Sequence, residues 1–398
     1  MPEIFVTIIG DQPAPNIFLI KDKTFQDISH YIFITSELME EKNRLAHLLN
    51  AVSIPKEKYS IVQISPNNLY AIRQKLDTLA LKEGNNNYHV NITSGSKMMS
   101  IGIFNYFTQP SLANRSALYY ISIRDHHFLQ IFPEAEHRAI QLSHKISLNE
   151  YLNSYGIRVN ETRDSSLPVY SRKLAEKIHD LFLSNAPILP FNKKFSHLIS
   201  DLRNYAKEEE KKAKGPLEIS IKDDQKWSTL ISMSGFLPQS SGRLNADEIQ
   251  YLIGGWFEEW TYYQLKAALG LETSAIGCSM QLQRVEAIGD FSKNEFDVLF
   301  TYQNQLYVLE CKSGLGGGYP GAKRMFDQAA HRLAAIRSDF GLKVHTSFLT
   351  LSTDLRKNAQ LLKPAIENRS LSLNIQTLDQ KDLSESPSLW VKKITGFR

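Results

Sequence analysis

The stretch Asn294–Gly314, NEFDVLFTYQNQLYVLECKSG, reads as two β-strands joined by a tight turn around Asn304. The first strand carries Asp297 and the second carries Glu310 and Lys312, one residue apart. Strand alternation puts Glu310 and Lys312 on one face and Cys311 on the other, and Asp297 can lie beside them on the neighbouring strand. Two carboxylates and an ammonium embedded in Val, Leu and Phe are costly to bury without a purpose. A divalent cation would resolve the carboxylate repulsion. Mg²⁺ or Mn²⁺ prefers oxygen ligands and keeps waters, one of which can become a nucleophile. Lys312 would orient or help deprotonate that water, or stabilise charge developing on a phosphate. The opposing reading is that an acid and a base at i, i+2 on an exposed strand face are ordinary surface chemistry.

The neighbouring segments favour the chemical reading. A long helical pattern over Ala246–Leu269 and a strand over Ala275–Val285 precede the hairpin; a helical run, Ala322–Asp339, and an apolar strand, Val344–Leu351, follow it. This order and the D…ExK spacing resemble the PD-(D/E)xK nuclease superfamily, whose core runs helix, three strands, helix, strand. Phe296 stands where that superfamily often has proline before the aspartate. The resemblance implies a restriction-endonuclease-like α/β domain with Glu258, Asp297, Glu310 and Lys312 as catalytic residues. The implied metal ligands are Asp297, Glu310 and the backbone carbonyl of Cys311, with Glu258, from the segment GGWFEEW, as a further ligand or water contact. Glu259, its neighbour, is the alternative carboxylate.

At 398 residues the chain is long enough for two domains and a connector. No apolar run reaches membrane-spanning length, and the N-terminus reads as a strand and not as a signal sequence. Cys278 and Cys311 are the only cysteines, so no disulfide framework is implied and a cytoplasmic protein is expected. A net charge of +4 is too small to argue for nucleic acid by itself, so any phosphate-binding surface must be local.

From Met1 to about Ile131 strands and helices alternate. The strand-like segments are Ile4–Ile9, Tyr31–Thr35, Tyr59–Ile64, Tyr88–Ile92 and Ala117–Ile123, with helical patterns over Glu37–Val52, Asn67–Leu81 and Lys97–Phe107. This argues for a Rossmann-like parallel sheet covered on both faces, with ligands bound beyond the carboxyl ends of its strands. Three loops fall there: Gly10–Asn16 (GDQPAPN), Thr35–Glu37 and Thr93–Lys97 (TSGSK). The last suits an anion, because Gly95 permits close approach, the hydroxyls donate, the helix N-terminus offers free N–H groups and Lys97 adds charge. Neither GxxxxGK[ST] nor GxGxxG is present. The plainer reading is that Thr93 and Ser96 cap a helix and Gly95 makes a turn.

The first loop and the segment Asn91–Met99 (NITSGSKMM) resemble those of CARF domains, and the whole chain is similar to CRISPR ancillary nucleases that join a CARF domain to a PD-(D/E)xK domain. That family's segment usually reads N-x-T-G-G-T-K-x-M. Asn91, Thr93, Gly95, Lys97 and Met99 match it, while Ser94 and Ser96 replace glycine and threonine. Gly254–Glu258, GGWFE, likewise resembles the family's G-x-W-L-E. The resemblance implies a CARF-like domain over 1–144, a helical connector over 145–244 and a nuclease domain over 245–398. It implies a homodimer whose composite pocket binds a cyclic oligoadenylate, usually cyclic tetra-adenylate, made by a type III CRISPR complex. Binding would release metal-dependent cleavage of single-stranded RNA or DNA, or nicking of duplex DNA, with no membrane involved. The activator contacts implied are Gly10, Gln12, Pro13, Asn16, Thr35, Ser36, Asn91, Thr93, Ser94, Gly95, Ser96 and Lys97.

The middle of the chain is less legible. Ser171–Ser184 looks helical, and Ala206–Lys214, AKEEEKKAK, reads as a charged helix or linker. Within Ala322–Asp339, Lys323, Arg324, His331, Arg332 and Arg337 are candidates for a nucleic-acid groove, with Gln328 one turn from Arg332. Three rival readings remain. A metal-independent HEPN ribonuclease needs R-x(4–6)-H, which Arg138…His144 and Arg172…His179 satisfy. A ligand-sensing regulator would carry an inert nuclease domain. An ordinary repair or restriction nuclease would leave the N-terminal loops unexplained.

Overall fold

The computed structural model describes the chain apart from residues 123–125, 134–138, 160–166, 185–193, 213–216, 223, 287–294, 317, 342–343, 359 and 397–398. Ile123, Arg138, Ala213, Lys214 and Asn294 therefore lie outside the described residues.

The N-terminal strands β1 (Glu3–Ile8), β2 (His30–Thr35), β3 (Tyr59–Gln63), β4 (Asn87–Asn91), β5 (Ser116–Ser122), β6 (His127–Phe132) and β7 (Ala139–Gln141) form one sheet in the order β3-β2-β1-β4-β5-β6-β7. The first five are mutually parallel and the last two are antiparallel additions. Helices α1 (Ala14–Ile20), α2 (Glu37–Glu41), α3 (Arg44–Val52), α4 (Leu69–Asp77), α5 (Lys97–Phe107) and α6 (Pro110–Ala113) connect them. Strand order reverses between β1 and β4, and a doubly wound sheet opens its ligand crevice at such a point. Two sequence expectations change here. The Gly10–Asn16 loop ends early, because Pro15 in the first turn of α1 supplies a helical φ. The Glu37–Val52 helix breaks at Asn43, whose φ is 52°.

The middle segment contributes α7 (Leu148–Ser154), β8 (Ile157–Val159), α8 (Arg172–Leu183), α9 (Phe195–Lys212), β9 (Glu218–Ser220), α10 (Gln225–Ser234) and β10 (Arg243–Asn245). It is thus not wholly helical. β8 adds an antiparallel edge strand to the C-terminal sheet, and β9 pairs with β10. The remaining elements are α11 (Ala246–Gln250), a π-turn over Tyr251–Gly255, α12 (Trp256–Leu269), β11 (Ile276–Arg284), β12 (Glu295–Tyr302), β13 (Gln305–Lys312), α13 (Gly318–Phe340), β14 (Val344–Thr350), α14 (Pro364–Leu373), β15 (Ile375–Leu378), α15 (Gln380–Leu383) and α16 (Pro387–Thr395). The second sheet runs β15-β14-β13-β12-β11-β8. Its β12–β13 hairpin turns through Gln303 and Asn304, both left-handed at φ 47° and 59°, which matches the strand twist.

Alternation divides the hairpin between two cores. Val298, Phe300, Tyr307, Leu309 and Cys311 face Trp256, Trp260 and Trp390 with α8, α9 and α10. Leu299, Leu306 and Val308 face Phe326 and Leu333 of α13. This second core continues through Tyr151 and Leu152 of α7 and its C-cap Tyr155 into Phe5, Ile17 and Leu48 of the N-terminal domain. The two halves therefore share one apolar core through α7.

Gly156, between α7 and β8, has φ 71°, and a Cβ there would sit 2.4 Å from Cε1 of His47. His47 is buried and lies 2.6 Å from Glu286, beyond the end of β11. Gly156→Ala is therefore expected to destabilise the protein by about 1–2 kcal/mol from left-handed backbone strain and by roughly 1–3 kcal/mol more from overpacking. Chemical denaturation of the variant against wild type checks this.

Candidate active site

The hairpin brings the predicted carboxylates together. Asp297 and Glu310 are only 6% and 4% exposed. Asp297 Oδ2 accepts from the backbone N–H of Cys311 at 2.6 Å and from Lys312 Nζ at 3.3 Å. Lys312 Nζ also lies 2.8 Å from Glu310 Oε1. The cation completing the cluster comes from α13: the Arg332 guanidinium donates to Glu310 Oε2 and stands 4.0 Å from Asp297 Oδ1. Cys311 faces the opposite way, with its Sγ 3.8 Å from Thr261 Oγ1 on α12.

Glu258 enters from α12 and accepts a 2.7 Å hydrogen bond from Ser279 Oγ. Burial and the nearby Asp297 charge push its carboxyl well above the usual carboxylate range. Ser279 reaches it through a local inversion of β11. Its φ of 49° reverses the alternation, so Cys278 joins one core and Met280 the other. Sequence alternation alone does not signal this residue. Glu259 points elsewhere. Its Oε1 accepts from the backbone N–H groups of Val169 at 2.5 Å and Tyr170 at 3.1 Å. Burial raises its carboxyl to about 7 despite these bonds.

Glu258, Glu259, Asp297, Lys312 and Arg332 line a cleft of about 960 Å³, and Glu310 is tied to it through Lys312 and Arg332. Glu258, Asp297 and Glu310 with the Cys311 carbonyl make an oxygen-only donor set, which suits Mg²⁺ or Mn²⁺. Among the described residues no three acidic, His or Cys side chains are gathered at metal-binding spacing. Lys312 and Arg332 compensate Asp297 and Glu310 in this arrangement. The donor chemistry fits a divalent ion, and the positive charge there is at present supplied by side chains.

Of the other α13 candidates, Arg324 lines the cleft, Lys323 pairs with Asp327 at 2.6 Å, and Arg337 donates to the Leu373 carbonyl at 2.9 Å. Of the HEPN-type pairs, Arg138 of Arg138…His144 lies outside the described residues, and the members of Arg172…His179 are engaged elsewhere. Arg172 pairs with Glu176 at 2.8 Å, while His179 stacks on Trp260 with ring centroids 4.1 Å apart. Burial depresses the His179 pKa. His144 lies 3.2 Å from Glu150.

The three N-terminal loops meet at the carboxyl edge of β2, β1 and β4. A Cβ on Gly10 would lie 2.6 Å from Gly95 N, and one on Gly95, at φ 85°, would lie 2.4 Å from Ile8 Cγ2. The loops are thus packed backbone against backbone, which only glycine permits. Several predicted contacts are internal braces. Asn16 is fully buried and donates to Thr7 Oγ1 at 2.7 Å and the Ile8 carbonyl at 2.9 Å. Asn91 donates to Thr7 Oγ1, and its Oδ1 accepts from Thr93 Oγ1 at 2.6 Å. Ser94 donates to Asn16 Oδ1 at 3.0 Å. Ser96 caps α5 by accepting from Met99 N–H, and Thr35 donates to Glu40 at 2.6 Å. Ser36 and Pro13 are buried helix-entry residues. Lys97 and Gly95 are exposed at the crevice, and Gln12 is half-buried there.

Comparison with known families matches residues 4–151 to the Card1 CARF domain and residues 245–380 to the Card1-like endonuclease domain. The chain joins a CARF domain to a Card1-like endonuclease domain. No curated protein sequence matches it. Among solved structures, protein VC1899 from Vibrio cholerae superposes with a TM-score of 0.74 at 18% identity, covering 99% of this chain and 98% of that one. Can2 from Sulfobacillus thermosulfidooxidans, in complex with cyclic tetra-adenylate, gives a TM-score of 0.70 at 18% identity, covering 98% and 99%. Both share the fold over the full length. The α/β architecture read from the sequence, with a parallel-rich N-terminal sheet and a second sheet in the C-terminal domain, is the one observed, and none of the described helices is long and apolar enough to cross a membrane.

The Arg332–Glu310 pair leads to a stability prediction. Arg332→Ala leaves Glu310 with one cation instead of two, and should cost about 1–2 kcal/mol in EDTA, discounted for the partial exposure of Arg332. A divalent ion should shrink that difference. Melting curves of both proteins with EDTA and with Mn²⁺ check it.

Proposed function

We propose that the chain is a divalent-metal-dependent endonuclease switched on by a cyclic oligoadenylate, acting as a homodimer on single-stranded RNA or DNA. The observation that carries the reading is the convergence of Glu258, Asp297 and Lys312 at one cleft, with Glu310 paired to Lys312 beside it, in a domain of the Card1-like endonuclease family. Asp297, Glu310, Glu258 and the Cys311 carbonyl would hold Mg²⁺ or Mn²⁺, which supplies a Lewis acid for the phosphate and an acidified water. Lys312 keeps an ammonium against both hairpin carboxylates, where it can orient water or stabilise charge on the scissile phosphate. Arg332, released from Glu310 when another cation takes its place, has a guanidinium fork suited to a phosphate oxygen pair. Arg324 adds charge to the cleft wall. The oxygen-rich site and the engaged His179 favour this reading over a metal-independent ribonuclease, and the intact acid–lysine cluster favours it over an inert sensor.

The CARF domain supports regulation by a cyclic oligoadenylate, and the tetra-adenylate bound by Can2, which shares the fold, makes that ring the first to test. A two-fold ring suits a pocket built from the same loops of two protomers. A physical route to the nuclease site is present. Tyr155 donates to Gln12 Oε1 at 3.0 Å, and a Cβ on Gly341, directly after α13, would lie 2.3 Å from the Tyr155 hydroxyl. Tyr151, stacked on Tyr155 at 5.3 Å, donates to the Phe340 carbonyl at 3.1 Å. The activator loop thus touches the end of the helix whose Arg332 holds Glu310. A ligand acts through such a route only by preferring one arrangement of it.

Two experiments follow. With labelled single-stranded RNA and DNA, Mn²⁺ and a panel of cyclic oligoadenylates, wild type is expected to cleave only with an activator and to stop in EDTA. Glu310→Ala, Lys312→Ala and Asp297→Asn should each lose on the order of 10²-fold or more in rate. Equal cleavage with and without every ring, or survival in EDTA, refutes the proposal.

In the second, Lys97→Ala should raise the activator concentration needed for half-maximal cleavage while leaving the metal site competent. Tyr155→Phe, lacking one hydroxyl, should change the ratio of activated to basal rate by roughly 2–10-fold, the range of one net hydrogen bond. Activation curves superimposable on wild type for both variants count against the route.

A further inference from the structure

α9 belongs to the segment between the two matched domains, yet it forms a wall of the catalytic cleft. Leu198, Ile199, Leu202 and Ala206 fix one side of it in the apolar core. Ser200, Arg203, Asn204 and Lys207 line the cleft from the other side, as helical spacing allows. Arg203 reaches further than a phosphate-facing cation needs to. Its Nη2 donates to the Ile253 carbonyl at 2.5 Å and to Ser313 Oγ at 3.0 Å, and Ser313 Oγ donates in turn to Ile253 O at 3.1 Å. Ser313 is buried and follows Lys312 directly. Ile253 lies in the π-turn that leads into α12 and Glu258. Such a turn departs from the regular i→i+4 ladder, and here the Ile253 carbonyl takes two side-chain donors. The guanidinium is held here at a desolvation cost, which depresses its pKa. It therefore cross-links the two backbone segments that carry Glu258 and Lys312, at the point where both enter the site.

We propose that Arg203 is a positioning residue of the endonuclease site, setting the placement of the Glu258 helix against the Lys312 strand end. One planar guanidinium can serve acceptors on two segments with fixed geometry, which a flexible ammonium does less well. The inference rests on the endonuclease reading, and it assigns the inter-domain segment a part in the chemistry. Positioning through a second residue predicts a loss in turnover; a simple phosphate contact predicts a loss in substrate affinity.

The test compares full-length wild type, Arg203→Ala, Arg203→Lys and Lys207→Ala with Mn²⁺, saturating activator and a labelled single strand, recording kcat, KM and melting temperature. Lys207, one turn on along the same wall, controls for loss of cleft charge. Arg203→Ala is expected to lose roughly 10–100-fold in kcat, as outer-shell partners of metal sites typically do, with KM little changed. Arg203→Lys should regain part of that loss, and added guanidinium ion should restore part of the rate to Arg203→Ala alone. If Arg203→Ala does not fold, the kcat of Arg203→Lys against Lys207→Ala decides. The inference is overturned if wild type cleaves and Arg203→Ala matches its kcat, if only KM rises, or if Lys207→Ala reproduces the same kcat loss. A wild type that fails to cleave refutes the endonuclease reading instead, before Arg203 is at issue.

Discussion

Asp297 and Glu310 are two carboxylates held almost out of water on one sheet face, and their repulsion governs how the surrounding elements must be arranged. Buried like charges need compensation, and burial makes that need severe. Here it is met by Lys312 from the same strand and Arg332 from the facing helix. Glu258 adds a third acid whose carboxyl is pushed toward its neutral form by burial and by Asp297. The charge of the site is thus balanced by side-chain cations. Each of its acids is held by a different element: α12, β12 and β13.

That distribution makes the site sensitive to how those elements are packed. The sheet fixes β12 against β13 through its register. The placement of α12 relies on the π-turn, the Ser279 inversion and the Arg203 cross-link. The placement of α13 relies on the core that it shares with α7 and the N-terminal sheet. α7 therefore does more than join two domains. Its Tyr151 and the capping Tyr155, stacked on each other, lie between the loop carrying Gln12 and the end of α13. The CARF crevice and the end of α13, the helix that carries Arg332, are thus joined by a short, well-packed path. Glu259 serves the same assembly differently, anchoring residues 169–170 to α12 through backbone amides.

The crevice loops show how far motif reading goes. The residues of Asn91–Lys97 are identifiable from their order, and they do meet the Gly10 loop at the strand reversal. Their side chains divide by role in a way the order does not state. Asn16, Asn91 and Ser94 use their hydrogen bonds on Thr7, Ile8 and one another, bracing the crevice from below. Lys97 stays at the surface. Small hydroxyl and amide residues are chosen in such loops both for ligands and for turns, so type and spacing cannot separate the two uses.

Features that depend on period and local chemistry are legible in the chain itself. Alternation places Glu310 and Lys312 on one face with Cys311 on the other. The run of apolar strands and amphipathic helices defines both α/β domains, and Lys97–Phe107 is legible to its ends from its Ser96 cap and apolar pattern. Features that depend on distant segments meeting emerge only once the chain is folded. Arg332, which reads as one of several surface cations on a helix, lies 22 residues from Glu310 and pairs with it. Arg203 lies 110 residues from Ser313, and Tyr155 lies 143 from Gln12. β8 leaves a segment expected to be helical and completes a sheet edge, because β11 offers unpaired backbone there. Ser279 turns toward Glu258 through a left-handed backbone that no residue preference announces. Short-range rules fix which face a side chain takes; which partner waits on that face is set by the packing of the whole chain.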